Sequence, residues 1–234
     1  MYHPFSVTET ISIAWHVLKK NFATIAVYTL LAFVIFFGSG FILNFFLIDI
    51  IFKGVGFVVT MIIISFLFLG YIKLIFQLID KEYYDFEFRD IMPKLKMVLS
   101  YILLVIIVST VYVFVSAAIK NLEDGIVQHL LGILVAVSAE VFFLFYFPIC
   151  ACFIVDDDSG PFESVVQSFN LIKGNFLKYF LLFVLIEVLV FIGTITVIGL
   201  LFVIPFVNML LVIAYRKLVY SHLDVDDDVP IETV

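Results

Sequence analysis

Two carboxyl groups, Glu140 and Glu187, are the only charges that fall deep inside long apolar runs, and Asn208 lies at a comparable depth in the last run. In hydrocarbon an ionised acid costs roughly 2.5–3.5 kcal/mol on insertion scales, so such a group is expected to be neutral, paired or turned toward a wet cavity. Placed together near a membrane midplane, the acids could carry a proton or hold a polar ligand, with the Asn208 amide orienting them. The alternative use is hydrogen-bond glue between helices, worth about 0.6 kcal/mol per contact. Both uses predict one polar cluster of Glu140, Glu187 and Asn208 directed into a helix bundle, since shared donors and acceptors make it less unfavourable than isolated groups in lipid.

Other reactive residue types lack the spacing that chemistry requires. Cys150 and Cys152, the only cysteines, form Cys-Ala-Cys with no further ligand nearby, a packing pattern rather than a zinc site. His3, His16, His129 and His222 are scattered outside the apolar cores, which argues against converging imidazoles around a metal. The runs Asp156-Asp157-Asp158 and Asp226-Asp227-Asp228 lack the ligand order of a calcium loop and read as solvated edges. There is no glycine-rich phosphate loop, nucleophile elbow or zinc-protease motif. The basic residues are few and interspersed with acids, unlike a nucleic-acid footprint. The expectation is a chain with no catalytic residues, no metal and no cofactor, which is not an enzyme.

The elements that must position the acids are membrane spans. Hydrophobic residues make up 64% of the chain and charged residues 14%, with a mean hydropathy of +1.22, whereas soluble domains carry about 25% charged residues. Charge is absent from Phe22 to Ile48, from Gly54 to Ile72 and from Met97 to Ile119. It occurs only as Glu140 between Gly125 and Val155, and only as Glu187 between Tyr179 and Tyr215. A span needs about 20 apolar residues, so the first four blocks predict one helix each. The fifth is too long for one helix, and Gly193, Thr194 and Gly199 supply the turn of a tight hairpin. The predicted fold class is all-α, a polytopic membrane protein with six transmembrane helices. One membrane domain covers residues 1–223 and an acidic cytoplasmic tail covers 224–234. Pro148 predicts a kink in the fourth span. The N-terminus lacks the basic-then-apolar order of a cleavable signal peptide.

With six spans both termini share a side, and that side carries 11 of the 13 Lys and Arg residues, leaving Lys53 and Lys120 opposite. The positive-inside rule then puts both termini in the cytoplasm of a bacterial inner membrane.

Lys19, Lys96 and Lys173 stand 77 residues apart, each in an apolar stripe with the helical spacing i, i+4, i+7, i+11. The stripes are Ile11, Trp15, Leu18 and Phe22; Phe88, Met92, Leu95 and Leu99; and Val165, Phe169, Ile172 and Phe176. They predict three repeated units, at about 6–82, 83–158 and 159–223, each opening with an amphipathic interfacial helix. Trp15, Lys19, Lys96, Phe169 and Lys173 are the expected interfacial anchors. Ser6 with Glu9 has the pattern of a capping box, and Gly160, Pro161 and Glu163 fit N-cap, N1 and N3 of the third surface helix. Pro93 is tolerable only in a first helical turn, so the middle surface helix is expected to be short or broken.

The residues Gly160-Pro161-Phe162-Glu163-Ser164-Val165-Val166-Gln167-Ser168 and Lys173-Gly174-Asn175-Phe176 are joined near the end by Gly193, Gly199, Ile204-Pro205 and Tyr215-Arg216-Lys217-Leu218. Together they resemble a bacterial six-span family. It contains YciC-like inner-membrane proteins and the membrane domain joined to some glycerophosphoryl diester phosphodiesterases. The resemblance covers most of the chain and implies an integral inner-membrane module tied to lipid or envelope processes. The phosphodiesterase of fused members is a separate soluble domain, and the 14 residues after Tyr220 are not expected to supply it. The expected role is a non-enzymatic, lipid-facing scaffold or accessory subunit of an envelope complex. Its partners would be membrane lipids and other envelope proteins, and no nucleic acid. The competing expectation is a small transporter or channel-like protein using Glu140 and Glu187.

Overall fold

The computed structural model describes residues 5–45, 50–80, 88–122, 125–195 and 197–220. Every regular element among them is helical. The helices are α1 (Val7–Lys20), α2 (Phe22–Phe45), α3 (Ile50–Asp80), α4 (Leu95–Lys120), α5 (Ile126–Val141), α6 (Phe147–Asp156), α7 (Pro161–Gly174), α8 (Phe176–Thr194) and α9 (Val197–Tyr220). Among these described residues six stretches are long and apolar enough to cross a membrane: Phe22–Leu43, Phe52–Asp80, Arg89–Lys120, Ile126–Asp156, Phe176–Thr194 and Leu201–Val219. They follow the charge-poor blocks of the sequence, because a crossing segment must be apolar on every face and must satisfy its backbone within itself. The protein is thus all-helical in its described part and has the six apolar helices of a multi-pass membrane protein.

The fourth crossing is composite. Its α-helical ladder is interrupted by a π segment, Phe142–Tyr146, directly before Pro148 near the start of α6. Proline has no N–H to return to the preceding turn, and a π turn absorbs the misfit. Where Pro148 predicts a kink, the described chain has a local change of helix type. The hairpin turn falls between Thr194 and Val197, inside the interval marked by Gly193 and Gly199.

Two compact units make up the chain: Met1–Ala26 with Asn170–Val234, and Val27–Phe169. In the first, α8 packs along α9, and α1 lies against both. Its core comprises Ala14, Leu18 and Ile25 with Tyr179, Leu182 and Ile186 of α8, and Met209, Leu210, Ile213 and Tyr215 of α9. A Cβ on Gly193 would come within 2.9 Å of the Val203 side chain, so the bare glycine permits the close approach of α8 and α9. Within a bilayer such contact quality, rather than exclusion of water, holds helices together.

In the second unit α3 packs on α4 and α6, while α5 packs on α4 and the π segment. The buried side chains concentrate at Leu69–Leu78 of α3, Met97–Leu104 of α4 and Ile149–Val155 of α6. Tyr28 of α2 stacks on Tyr71 of α3 at 5.3 Å and donates its hydroxyl to the Leu67 carbonyl at 2.8 Å. Gly70 makes room for that hydroxyl, which would lie 2.7 Å from a Cβ placed there.

The helix starts depart from expectation in two places. Ser6 makes no side-chain cap for α1: its hydroxyl lies 3.0 Å from the Thr8 hydroxyl, and Glu9 forms an ion pair with Lys217 of α9. At α7 the reciprocal half of the motif is present, with the Gly160 N–H donating to Glu163 Oε2 at 3.3 Å. Directly before α4 the only helical turn among the described residues is the 3-10 turn Phe88–Ile91. Met92, Pro93 and Lys94 break the chain there, and Lys96 lies in the first turn of α4, not at the end of a surface helix. Proline forces its predecessor out of helical geometry.

Candidate functional site

Helix α5 carries Glu140 in its last turn, on an exposed position. Helix α8 carries Glu187, half-buried, and the hairpin partner α9 carries Asn208, also half-buried. Glu187 and Asn208 belong to one unit and Glu140 to the other. The Asn208 amide turns back on its own helix and donates to the Ile204 carbonyl at 2.8 Å. That carbonyl lies four residues back, the local bond open to short polar side chains in helices. Among the described residues neither carboxyl has a hydrogen-bond or ion-pair partner. The inward orientation expected for Glu140 is not found: α5 buries no residue, so none of its faces points into a core.

Of the expected anchors, Lys19, Lys96 and Lys173 lie in terminal helical turns, and Trp15 and Phe169 lie further inside α1 and α7. Trp15 is half exposed, its ring edge-on to Phe206 at 5.8 Å, and Lys19 Nζ stands 5.0 Å from the indole centroid, within cation–π range. Phe169 packs at 4.1 Å on Tyr146 of the π segment. Lys19 and Lys173 are exposed in the last turns of α1 and α7, where they also complement the helix dipole. Of the first stripe only Leu18 is buried. The buried face of α1 is lined by Thr10, Ala14, Val17 and Leu18, while Trp15 meets Phe206 from a half-exposed position.

Polar side chains outside the expected cluster hold elements together, among them Asp158 of a run expected to be a solvated edge. Asp158, the last residue of the first aspartate run, pairs with Lys94 at 2.5 Å across the end of α6 and the start of α4. It also takes a left-handed backbone, φ 55°, that turns the chain toward α7, a conformation Asp tolerates better than most residues. Ser159 donates to Gln167 at 2.8 Å, and the buried Ser168 lies 3.2 Å from the Cys150 sulfur. Lys73 donates to the Met92 carbonyl at 2.9 Å. The partners in these pairs are far apart in sequence or lie across a turn, and no local pattern announces them.

A groove of about 740 Å³ runs between α4 and α5, lined by Tyr112, Ser116 and Lys120 on one wall and His129, Ile133 and Ala136 on the other. Gln128 donates to the Lys120 carbonyl at 3.4 Å at its mouth. Among the described residues no three His, Cys, Asp or Glu side chains converge in a way that could hold a metal ion. The polar groups so arranged can hydrogen-bond, pair ions and orient helices. Comparison with family models, curated proteins and solved structures finds no match for this chain.

Proposed function

We propose that this chain is a non-enzymatic, lipid-facing scaffold or accessory subunit of a bacterial inner-membrane envelope complex, with both termini in the cytoplasm. The observation that carries the reading is the apolar surface left outside both cores. Phe36, Phe37, Phe57, Phe114, Leu130 and Phe191 are all more than half exposed, a surface that would aggregate in water and that suits hydrocarbon. Ion pairs and hydrogen bonds are spent on joining helix ends, as in Glu9 with Lys217 and Lys94 with Asp158. The resemblance to YciC-like proteins supports the same placement in an inner membrane.

A duplicated origin also belongs to this reading. Thr10, Ala14, Leu18 and Asn21 match Ser164, Ser168, Ile172 and Asn175 at a constant offset of 154 residues. The first three of each set are buried. Trp15 and Phe169 correspond at the same offset, and both are about half exposed. The breaks after α1 and α7 match as well: Asn21 has φ −115° and ψ 20°, and Asn175 has φ −132° and ψ 28°. The test of function is extraction into native nanodiscs followed by mass spectrometry. A reproducible set of envelope proteins and lipids retained with the chain is the expected result. Isolation of the chain alone, together with solute flux in proteoliposomes, would overturn it in favour of transport. The transport reading is favoured by one observation, the half-buried Glu187 and Asn208 on the two packed helices of one hairpin. It predicts loss of flux in Glu140→Gln and Glu187→Gln.

A further inference from the structure

The groove between α4 and α5 has a cation at its mouth and small residues in its walls. Both helices lie in the Val27–Phe169 unit, and every residue that lines the groove belongs to one of them. On α4, Tyr112, Ser116 and Lys120 follow one another along it at four-residue spacing, a single helix face. On α5 the opposite wall includes Gly132, Ile133 and Ala136, with His129 one turn nearer the mouth. A glycine in a membrane helix commonly lets a neighbouring helix come close, as Gly193 does toward Val203. Gly132 does not: a Cβ built there meets no atom within 4 Å. Its missing side chain instead hollows a groove of about 740 Å³, within the range of about 300–1,000 Å³ usual for ligand sites. Lys120 closes α4, and among the described residues its ammonium has no hydrogen-bond or ion-pair partner. Beside it, His129 Nδ1 lies 2.9 Å from the Gly125 carbonyl, and Gln128 donates to the Lys120 carbonyl.

We propose that this groove binds one phospholipid, its phosphate on Lys120 and an acyl chain between α4 and α5. Charge complementarity selects the occupant. A hydrocarbon tail alone fills the apolar length of the groove but brings no anion to the ammonium. A free phosphate pairs with the ammonium and leaves the apolar walls bare. A phospholipid does both, and a lysine–phosphate contact is a charge-assisted hydrogen bond. The α4 face presents its groups in the order such a molecule needs. At about 1.5 Å per residue, Ser116 lies roughly 6 Å and Tyr112 roughly 12 Å further into the span than Lys120. A hydroxyl therefore stands where the ester groups would lie, and an aromatic ring stands beside the chain. The lysine stem lets the ammonium reach the headgroup level. The site deepens the lipid-facing role and rests on α4 and α5 crossing the bilayer. With Lys120 on the side opposite the termini, the lipid is drawn from the outward leaflet.

The test is photo-cross-linking of the full chain in phosphatidylcholine liposomes doped with phosphatidylglycerol that carries a diazirine in one acyl chain. Irradiation should label residues 112–117 and 132–136, as read by peptide mass spectrometry. Lys120→Gln should lower that labelling about fivefold, the effect of one cation on an anionic lipid. Lys120→Arg, which keeps a phosphate-binding cation, should stay within about twofold of the parent. Lys53→Gln removes the other lysine of the same side and should change nothing. Gly132→Leu fills the groove from a position open to it and should abolish the labelling, whereas Gly54→Leu, at an equally open glycine of α3, should not. Survival of the labelling in either folded groove variant overturns the proposal. In Gly132→Leu it marks a phosphate held without its chain, and in Lys120→Gln it marks ordinary lipid around the helices. Equal losses in Lys53→Gln and Lys120→Gln overturn it as well. If Gly132→Leu fails to fold, the comparison of those two lysine variants decides. A chain that inserts into liposomes with no label at the groove overturns the site alone, and a chain that does not insert overturns the bilayer placement with it.

Discussion

Gly193 and Gly70 are positions where the absence of a side chain sets how closely two helices approach. Gly193→Ala drives a methyl group into Val203 and should destabilise the α8–α9 hairpin by about 1–3 kcal/mol, the usual range for overpacking. Adding Val203→Ala should recover most of that loss, as read from denaturation in mild detergent. At Gly70 the added methyl meets the Tyr28 hydroxyl. Gly70→Ala should therefore be tolerated far better in a Tyr28→Phe background, which lacks that oxygen, and a thermal-shift double-mutant cycle measures the coupling. The legible and illegible parts of the sequence separate at this scale. Glu163 is visible as a capping residue because its partner, Gly160, is three residues away. Glu9 has the same local signal, but Lys217 at the far end of the chain takes it. The depth of Glu140 can be read from the sequence, and its face cannot: the residues around it are apolar on every side, so periodicity carries no direction.

Helices α1 and α7 end in the same way, and that likeness bears on how the elements arose. Asn21 and Asn175 both leave helical geometry for one residue, and the next helix starts immediately after each. An experimental structure in lipid should superpose residues 8–26 on 162–180 with the two breaks coincident; unrelated angles between α1 and α2 and between α7 and α8 would remove the case for duplication. The span positions were readable from charge-free blocks, because hydrocarbon excludes charge more strictly than a soluble core does. The place of Lys96 was not, because a lysine and an apolar stripe look alike at the start and at the end of a helix. Pro93 settles the matter by stopping the ladder before Leu95. The π segment at Phe142–Tyr146 is similarly hidden, since Pro148 announces an interruption without fixing its form.

The whole molecule is organised by where charge is permitted. Its basic residues flank the apolar crossings, and 11 of 13 fall on the side assigned to the termini. Within each unit an ion pair joins helix ends, Lys94 with Asp158 in one and Lys217 with Glu9 in the other. The proposed role requires that such a chain meet water at its helix ends and lipid along their length, so it depends on the placement of the chain in the bilayer. Sided thiol labelling tests that placement most directly. Single cysteines at Thr8, Asn121 and Glu163, all exposed positions, are introduced in the background Cys150→Ala and Cys152→Ala. A membrane-impermeant reagent added to cells with an opened outer envelope should label Asn121→Cys at once. It should label Thr8→Cys and Glu163→Cys only after the inner membrane is permeabilised. Labelling of Thr8→Cys and Asn121→Cys from the same side would contradict the six-span account.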